Sequence, residues 1–368
     1  MTDWEKDFSY FWESIRDNHA YLSEAPCSWA AVPRAYAAEL AAVKDKIGFI
    51  RLLERAIGEL CDNHASLGTN LGDSYRLVPS GTDIRVEARP NGISITDLRS
   101  PRSDLKPGDR VLKMEAALAS VWPKTVPQNN LAAATYCANL LIAGQHDRPR
   151  QLVTQQGPIT LEGIEHGSAP KELVRFETRR SIGWIRPQDS LGDNKLITEF
   201  DSAMTALQNT KGLILDLTDT PSGGNTTVAR AILSWFVSKE QPYQRHEDPS
   251  EFQRFGVRRF WTEWVAPRPG KQYRGPLYVL VNGWTGSMGE GIAIALQGMK
   301  RAKLLGMPMA GLKGAVSRDE MPLTKIPFYF PTERLFRVDG TPREKCLPDI
   351  PAPTITLRQR AEALLEKR

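Results

Sequence analysis

Apolar residues near the start of the chain recur at helical spacing. They fall on one face of a first predicted helix: Trp4, Phe8, Phe11, Trp12 and Ile15. A second amphipathic run extends from Phe49 to Leu60 and stops at Cys61-Asp62-Asn63-His64, where Asp and Asn favour a turn. The pattern predicts an N-terminal helical region over residues 1–72, with the aromatic stripe facing a core.

The pattern changes to short β-like segments between residues 75 and 162. Residues 84–88 and 92–96 alternate like strands, and a Pro-Gly-Asp turn in residues 105–114 leads into another. Residues 131–143 then have the character of a helix. We therefore predict a small β-rich module over residues 73–165 that carries its own helix.

From residue 172 onward, apolar strand-like runs alternate with helical periodicity. The predicted strands are 182–185, 213–217, 277–281 and 304–306, and the predicted helices are 196–207, 226–237 and 287–299. Such alternation is typical of crossover units on a largely parallel sheet. We predict an α/β domain over residues 166–368, in which the aperiodic stretch 241–274 forms a long surface excursion.

Composition narrows the class of protein. A chain of 368 residues suggests two or three domains, and its net charge of +5, without a dense basic run, gives no reason to expect nucleic acid as a partner. Four scattered cysteines lack metal-ligand spacing and are expected to be free thiols, with one disulfide left open for an exported protein.

The N-terminus and the hydropathy bear on location. The first residues lack a basic segment followed by an apolar one, and no apolar run approaches the roughly 20 residues that span a bilayer. We expect no integral membrane segment and a cytoplasmic protein as the sequence stands, or a periplasmic or secreted one if an export signal was omitted.

The strongest chemical feature is a serine between a buried strand and a helix. Residues 285–290 read Thr-Gly-Ser-Met-Gly-Glu, so Ser287 is held at a turn with glycines on both sides. This arrangement has the logic of a nucleophile elbow, and the Met288 N–H would lie at a helix N-terminus that favours an oxyanion. The local motif alone is equally consistent with a serine that caps the helix.

Two further features carry candidate chemistry. Gly223 and Gly224 follow a buried strand, where their N–H groups offer a second oxyanion donor, although a structural turn explains them as well. His64 lies at a predicted helix end and suits a general base near neutral pH, although by spacing alone it is more often a capping or surface residue.

Taken together, these motifs resemble the tail-specific, or C-terminal-processing, serine peptidases of peptidase family S41. The branch they resemble most is the one related to the tricorn core peptidase and the retinoid-binding repeat proteins. The matching segments occur in the family's order: Leu60–His64, Leu213–Thr218 with Pro221–Gly224, Val281–Glu290, and Asp339–Asp349.

The resemblance implies a fold and a set of catalytic residues. The fold is a crotonase/ClpP-like βαβ core with an N-terminal helical region and an inserted PDZ-like domain, whose turn is matched by residues 105–113. Such modules add a peptide strand to a sheet edge. The family's histidine branch implies Ser287, His64 and a glutamate as the catalytic residues, and no cofactor or metal.

Two assignments have alternatives. The lysine branch of the family places a lysine base near residues 310–315, where Lys313 lies one residue beyond the expected place, so His64 is favoured. Glu344 is favoured as the carboxylate because the family places its glutamate shortly before a Pro-Asp tail, which Pro348-Asp349 resembles here. Glu290 is the alternative acid, and it also suits the helix dipole.

The function predicted is hydrolysis of peptide bonds through an acyl-enzyme on Ser287, with unfolded or C-terminally recognised polypeptides as substrates. Met288 and Gly223 or Gly224 would supply the oxyanion donors. A catalytically weak protein that binds a peptide or an apolar ligand on the same fold, and a non-peptide acyl hydrolase, are the alternatives.

Overall fold

The computed structural model describes residues 1–162, 164 and 172–367. Within these ranges the chain forms an N-terminal group of helices and three β-sheets. The predicted domain boundary between residues 165 and 166 lies outside the described residues.

The N-terminal region is helical, as the periodicity predicts. It contains α1 (Asp3–Asn18), α2 (Val32–Ala41), α3 (Lys46–Gly58) and the short strand β1 (Ser66–Leu67). A capping box between Thr2 and Glu5 starts α1. The apolar faces of these helices pack on Phe328 and Phe330, so a distant segment completes their core.

The middle of the chain forms an antiparallel sheet with a helix packed on it. Its elements are β2 (Ile84–Arg89), β3 (Gly92–Leu98), β4 (Arg110–Leu112), α4 (Glu115–Val121), α5 (Leu131–Ala143), β5 (Arg150–Thr154) and β6 (Gly157–Leu161). The strands lie in sequence order from β2 to β6, and this unit has its own apolar cluster. The β-rich character and the helix over residues 131–143 are confirmed.

Strand β2 lies at one edge of that sheet, but its outward main-chain groups are occupied by α5. The Val86 N–H donates to Asn139 Oδ1 at 3.1 Å, and Asn139 Nδ2 donates back to the Val86 carbonyl at 2.8 Å. The Ala88 N–H donates to Thr135 Oγ1 at 3.0 Å. A peptide strand therefore cannot add to this part of β2 unless α5 moves away.

The rest of the chain forms the α/β core and a third sheet. The elements are β7 (Val174–Arg179), β8 (Ile182–Pro187), α6 (Leu196–Leu207), β9 (Gly212–Asp216), α7 (Thr226–Ser234), β10 (Gln241–Asp248), α8 (Ser250–Phe255), β11 (Arg259–Val265), β12 (Leu277–Val281), α9 (Met288–Gly298), β13 (Lys303–Gly306), β14 (Ala315–Glu320), β15 (Pro327–Phe336), β16 (Ile350–Pro351) and α10 (Leu357–Glu366).

The core sheet has six strands in the order β16-β13-β12-β9-β8-β7 and is parallel except for the β7–β8 pair. This confirms the predicted alternation of strands and helices. Strands β9 and β12 are buried along their whole length because helices cover both faces of the sheet.

The predicted surface excursion over residues 241–274 contains regular secondary structure, which its aperiodic sequence did not indicate. Strands β10 and β11 form an antiparallel hairpin that joins β15 in the third sheet, whose order is β1-β15-β10-β11 with β14 paired to β15. Several residues of β11 are partly or fully exposed and only Val265 is buried, so the strand lacks the apolar alternation that would have revealed it.

Strands β9 and β12 are parallel neighbours, so their carboxyl ends lie side by side. The loops after them carry the Gly-Gly turn and the serine turn, respectively. Topology thus brings together two motifs that are about 60 residues apart in sequence.

Candidate active site

Ser287 lies at the N-cap of α9 with a strained backbone. Its φ of 47° and ψ of −107° put it in a region that non-glycine residues rarely occupy. The side chain is half-buried while its neighbours in the turn are buried. A strained serine between a buried strand and a helix is the geometry of a nucleophile elbow.

Main-chain hydrogen bonds fasten the serine turn to the loop after β9. The Gly286 N–H donates to the Thr220 carbonyl at 3.2 Å, and the Thr220 N–H donates to the Trp284 carbonyl at 3.1 Å. Thr285 Oγ1 also donates to the Leu217 carbonyl at 2.9 Å. The two loops therefore form one rigid unit.

Gly223 lies against the serine. A Cβ at this position, where φ is +68°, would be 2.4 Å from Ser287 Cβ, 3.0 Å from Ser287 Oγ and 3.1 Å from the Met288 nitrogen. A Cβ at Gly224 would be 2.1 Å from the Leu191 carbonyl. Only glycines allow the backbone to approach both the serine and the Leu191 main chain this closely.

The donors for an oxyanion differ in availability. The Met288 N–H is in the first helical turn, where main-chain donors lack partners within the helix. The Gly223 N–H donates to the Thr220 carbonyl at 3.2 Å. Of the two predicted glycine donors, Gly224 is therefore the better candidate.

Glu290 is fully buried and joins the serine to a second loop. Its carboxylate accepts from the Ser287 N–H at 2.9 Å, the Gly311 N–H at 2.9 Å and the Leu312 N–H at 3.2 Å. Burial raises the pKa of Glu290 to about 7, against the lowering effect of the Arg343 charge. These contacts give Glu290 a structural position between main-chain donors instead of one beside a histidine.

His64 follows the end of α3 and is fixed by the same second loop. Its Nδ1–H donates to the Lys313 carbonyl at 2.6 Å, which leaves Nε2 as the unprotonated nitrogen. Its main-chain N–H donates to Oδ1 of the buried Asp62 at 2.9 Å. Burial, followed by the positive charge of Arg343, lowers the pKa of His64 to about 4. The imidazole is therefore a free base at neutral pH.

Lys313, the alternative base, and Glu344, the favoured carboxylate, both lie near Tyr21. Lys313 Nζ is 5.8 Å from the centre of the Tyr21 ring, and the residue meets His64 through its carbonyl. Burial raises the pKa of the Tyr21 phenol, and the nearby charge of Glu344 raises it further. Among the described residues, His64 Nδ1 is bonded to a main-chain carbonyl and not to Glu344.

Sequence reasoning missed Arg343, whose side chain is only 1% exposed. Its Nη2 donates to the Leu312 and Gly314 carbonyls, both at 2.7 Å. Its position next to Glu344 gives no sign of this role, because a buried arginine and a surface arginine look alike in sequence. Within the described ranges, no group of three or more His, Cys, Asp and Glu side chains is placed to hold a metal ion.

The described part of the chain also bears on the expectations about cysteines and membrane segments. All four cysteines are free thiols, two of them buried. None of the helices in the described ranges has the length and apolar character needed to cross a bilayer.

Comparison with known proteins gives a family match over part of the chain and supports the fold. Residues 181–352 match the family model "Peptidase family S41". Mature CPAF has 15% identity and a TM-score of 0.63, with 99% of this chain and 96% of that chain covered. The photosystem II D1 C-terminal processing protease has 15% identity and a TM-score of 0.61, with 100% and 97% covered.

A third solved structure, a putative peptidase from Parabacteroides merdae ATCC 43184, has 13% identity and a TM-score of 0.59 over 99% of this chain and 97% of that one. At such identities these likenesses establish the fold alone. A search among curated proteins found no significant match.

Proposed function

We propose that this chain, whose residues 181–352 match the model of peptidase family S41, is a serine peptidase in which Ser287 is the nucleophile and His64 the general base. The observation that carries the proposal is the strained Ser287 held against Gly223 at the start of α9. Glu290 and the loop over residues 311–313 connect this serine to a histidine that is a free base at neutral pH.

The proposed reaction is acyl transfer. His64 Nε2 takes the proton from Ser287 Oγ as Oγ attacks the scissile carbonyl carbon. The Met288 and Gly224 N–H groups stabilise the oxyanion, and His64 then gives the proton to the leaving amine as the C–N bond breaks. A water molecule, activated by the same histidine, hydrolyses the ester and releases a carboxylate.

The base in this proposal is His64 and not Lys313. A lysine base needs its Nζ at the serine, whereas the Lys313 Nζ lies over the face of Tyr21. Because the Lys313 carbonyl accepts from His64 Nδ1, Glu344 has no direct bond to that nitrogen. A role for the Glu344 carboxylate in orienting His64 would have to pass through an intervening group.

The proposed substrates are unfolded polypeptides, cleaved at internal bonds. The β2–β6 sheet with α5 is proposed to be the PDZ-like domain implied by the sequence. Its β2 edge is occupied by Asn139 and Thr135, which argues against recognition of a C-terminus by strand addition in this conformation.

The test combines covalent labelling with cleavage. Wild type should react with a fluorophosphonate probe and degrade a reduced, carboxymethylated protein. Ser287→Ala and His64→Ala should lose both activities by at least about 1000-fold. Ser202→Ala, at a serine on α6, is the matched labelling control and should behave as wild type.

Other outcomes separate the alternatives. Lys313→Met keeps the main-chain carbonyl, so it should retain activity, and its complete inactivation would favour the lysine as base. Cleavage of p-nitrophenyl acetate without cleavage of the protein would favour an acyl hydrolase. A wild type that neither labels nor cleaves would overturn the proposal and favour a binding protein.

A further inference from the structure

The loop over residues 311–314 carries the carbonyl that orients His64, and two buried charged side chains hold it. Glu290 accepts from the N–H groups of Gly311 and Leu312. Arg343 donates to the carbonyls of Leu312 and Gly314. The four main-chain contacts fix the loop on both sides of Lys313.

The geometry of the carbonyls gives Arg343 a specific effect. The Leu312 and Gly314 carbonyls both accept from Nη2 of Arg343 at 2.7 Å, while the Lys313 carbonyl between them accepts from His64 Nδ1 at 2.6 Å. A guanidinium bonded to residues i and i+2 therefore fixes the carbonyl of residue i+1 that meets the histidine. Arg343 suits this task because it offers several donors in a rigid plane.

The backbone at Gly314 supports the same arrangement. Its φ is +56°, and a Cβ there would be 2.1 Å from the Glu333 carbonyl. The loop must turn at this point to present the Gly314 carbonyl to Arg343, and only glycine permits the turn without a clash. The glycine conformation and the buried Arg343 cation thus both fix the Gly314 carbonyl, next to the one that accepts from His64.

We propose that Arg343 is a positioning residue for the general base: it holds the 312–314 loop so that the Lys313 carbonyl takes the place of a carboxylate behind His64. The inference rests on the proposed function, since it concerns the same serine and histidine. Arg343 touches neither the serine nor a substrate in this scheme, so it acts only through the loop.

This arrangement differs physically from a histidine backed by a carboxylate. A carbonyl fixes the tautomer and orientation of the ring but supplies no full negative charge to stabilise the imidazolium. The charged groups that bear on His64 are Asp62 on its own turn, which raises its pKa, and Arg343, which lowers it. Glu290 contacts the loop and not His64. Burial raises the pKa of Glu290, and the charge of Arg343 opposes that rise.

Arg343→Met and Arg343→Lys test the inference. Arg343→Met removes both the bonds and the charge, so kcat should fall by about 100-fold. His64 should titrate at least about one pH unit higher, because a nearby like charge has gone. Arg343→Lys keeps the charge but loses the planar fork, so kcat should fall while the titration of His64 stays within about 0.3 unit of wild type.

Two measurements are needed for each variant. The acid limb of kcat/KM reports the base in the free enzyme, and NMR titration of the His64 ring, assigned by comparison with His64→Ala, reports the same group without requiring turnover. KM should change less than threefold, since loop position affects the chemical step and not substrate contacts.

Arg150→Met is the matched control. Arg150 is also a buried arginine whose guanidinium donates to main-chain carbonyls, those of Glu162 and Ile142, but it lies in the β2–β6 unit. Its loss should lower Tm without moving the His64 titration or the acid limb. A purely structural role for Arg343 predicts this same behaviour for Arg343→Met, and that result would overturn the inference.

The outcomes distinguish the inference from the proposed function. If wild type cleaves and both Arg343 variants retain wild-type kcat and His64 titration, the inference fails and the peptidase stands. If wild type does not cleave but His64 shifts as expected in Arg343→Met, the geometry is supported while the proposed function fails. Should Arg343→Met not fold, an unchanged kcat in Arg343→Lys is sufficient to overturn the inference.

Discussion

Gly223 and Ser287 form a contact at which one methyl group would decide activity. A Cβ at Gly223 would meet both Ser287 Cβ and Oγ, and it would also approach the Met288 nitrogen. The glycine is therefore needed for more than its backbone conformation. It leaves the space in which an attacking serine and a carbonyl oxygen would meet.

We expect Gly223→Ala to reduce kcat/KM by at least about 100-fold, because the new methyl group displaces Ser287 from its attacking position. Strain at positive φ should also cost about 1–2 kcal/mol of stability. Gly256→Ala is the control: Gly256 has a φ of +70°, close to that of Gly223, but its Cβ would meet nothing within 4 Å.

Gly256→Ala should lower Tm as Gly223→Ala does, but it should keep wild-type activity. Equal losses of activity in Gly223→Ala and Gly256→Ala would contradict the role of close approach at Gly223, since strain alone would then account for both. Thermal unfolding and steady-state cleavage of the same unfolded substrate are sufficient to compare them.

At the scale of single elements, side chains of α5 cover the main-chain groups of β2 to which an added peptide strand would bind. Asn139 and Thr135 satisfy the outward N–H and carbonyl groups of Val86 and the N–H of Ala88. A sheet edge whose donors and acceptors are already paired gains little from an added peptide strand. Side chains of α5 therefore take the place of a neighbouring strand at this edge of the sheet.

From this we expect no preference for a free C-terminus. A peptide substrate and its C-terminal amide should be cleaved with KM values within about twofold of each other, because neither can add to β2. Asn139→Ala frees one donor and one acceptor, and with it a preference for the carboxylate should appear. A tenfold or larger preference in wild type would show that α5 leaves the edge during substrate binding.

The elements differ in how well the sequence predicts them. The strand and helix around Ser287 are recognisable in the sequence because their apolar residues follow strand and helix spacing. Glycines on both sides of the serine mark the turn between them. The hairpin over residues 241–265 is not, because β11 has no apolar alternation. The Lys313 carbonyl is also beyond reach, since every residue type has a main-chain carbonyl and only the fold selects one. The role of Arg343 is not recognisable either, because a buried arginine and a surface arginine look alike in sequence.

At the scale of the whole molecule, the β2–β6 unit contacts the serine turn directly. Arg85 Nη1 donates to the Gly283 carbonyl at 2.8 Å, and Trp284 Nε1 donates to the Thr82 carbonyl at 2.6 Å. Trp284 is fully buried. The turn that presents Ser287 is thus supported from two sides, by the core sheet and by this unit.

We expect Arg85→Ala to lower kcat by about tenfold and to speed amide hydrogen exchange in residues 282–286, because the turn loses one of its supports. Arg110→Ala in the same unit is the control, since Arg110 is exposed and its side chain bonds only to the Asn91 carbonyl among the described residues. If exchange in 282–286 is unchanged in Arg85→Ala, the contact does not stabilise the turn.

The shared core of the N-terminal helices has a consequence for synthesis. Asp7 accepts from the main chain at Leu323 and Thr324, and Phe328 and Phe330 complete the helices' apolar packing. On the ribosome, His64 emerges some 250 residues before the Lys313 carbonyl that orients it. A nascent chain therefore lacks the partner of its His64 ring until the 311–314 loop has been made. If the proposed function holds, a product terminated before that loop should have no oriented base and should not cleave polypeptides.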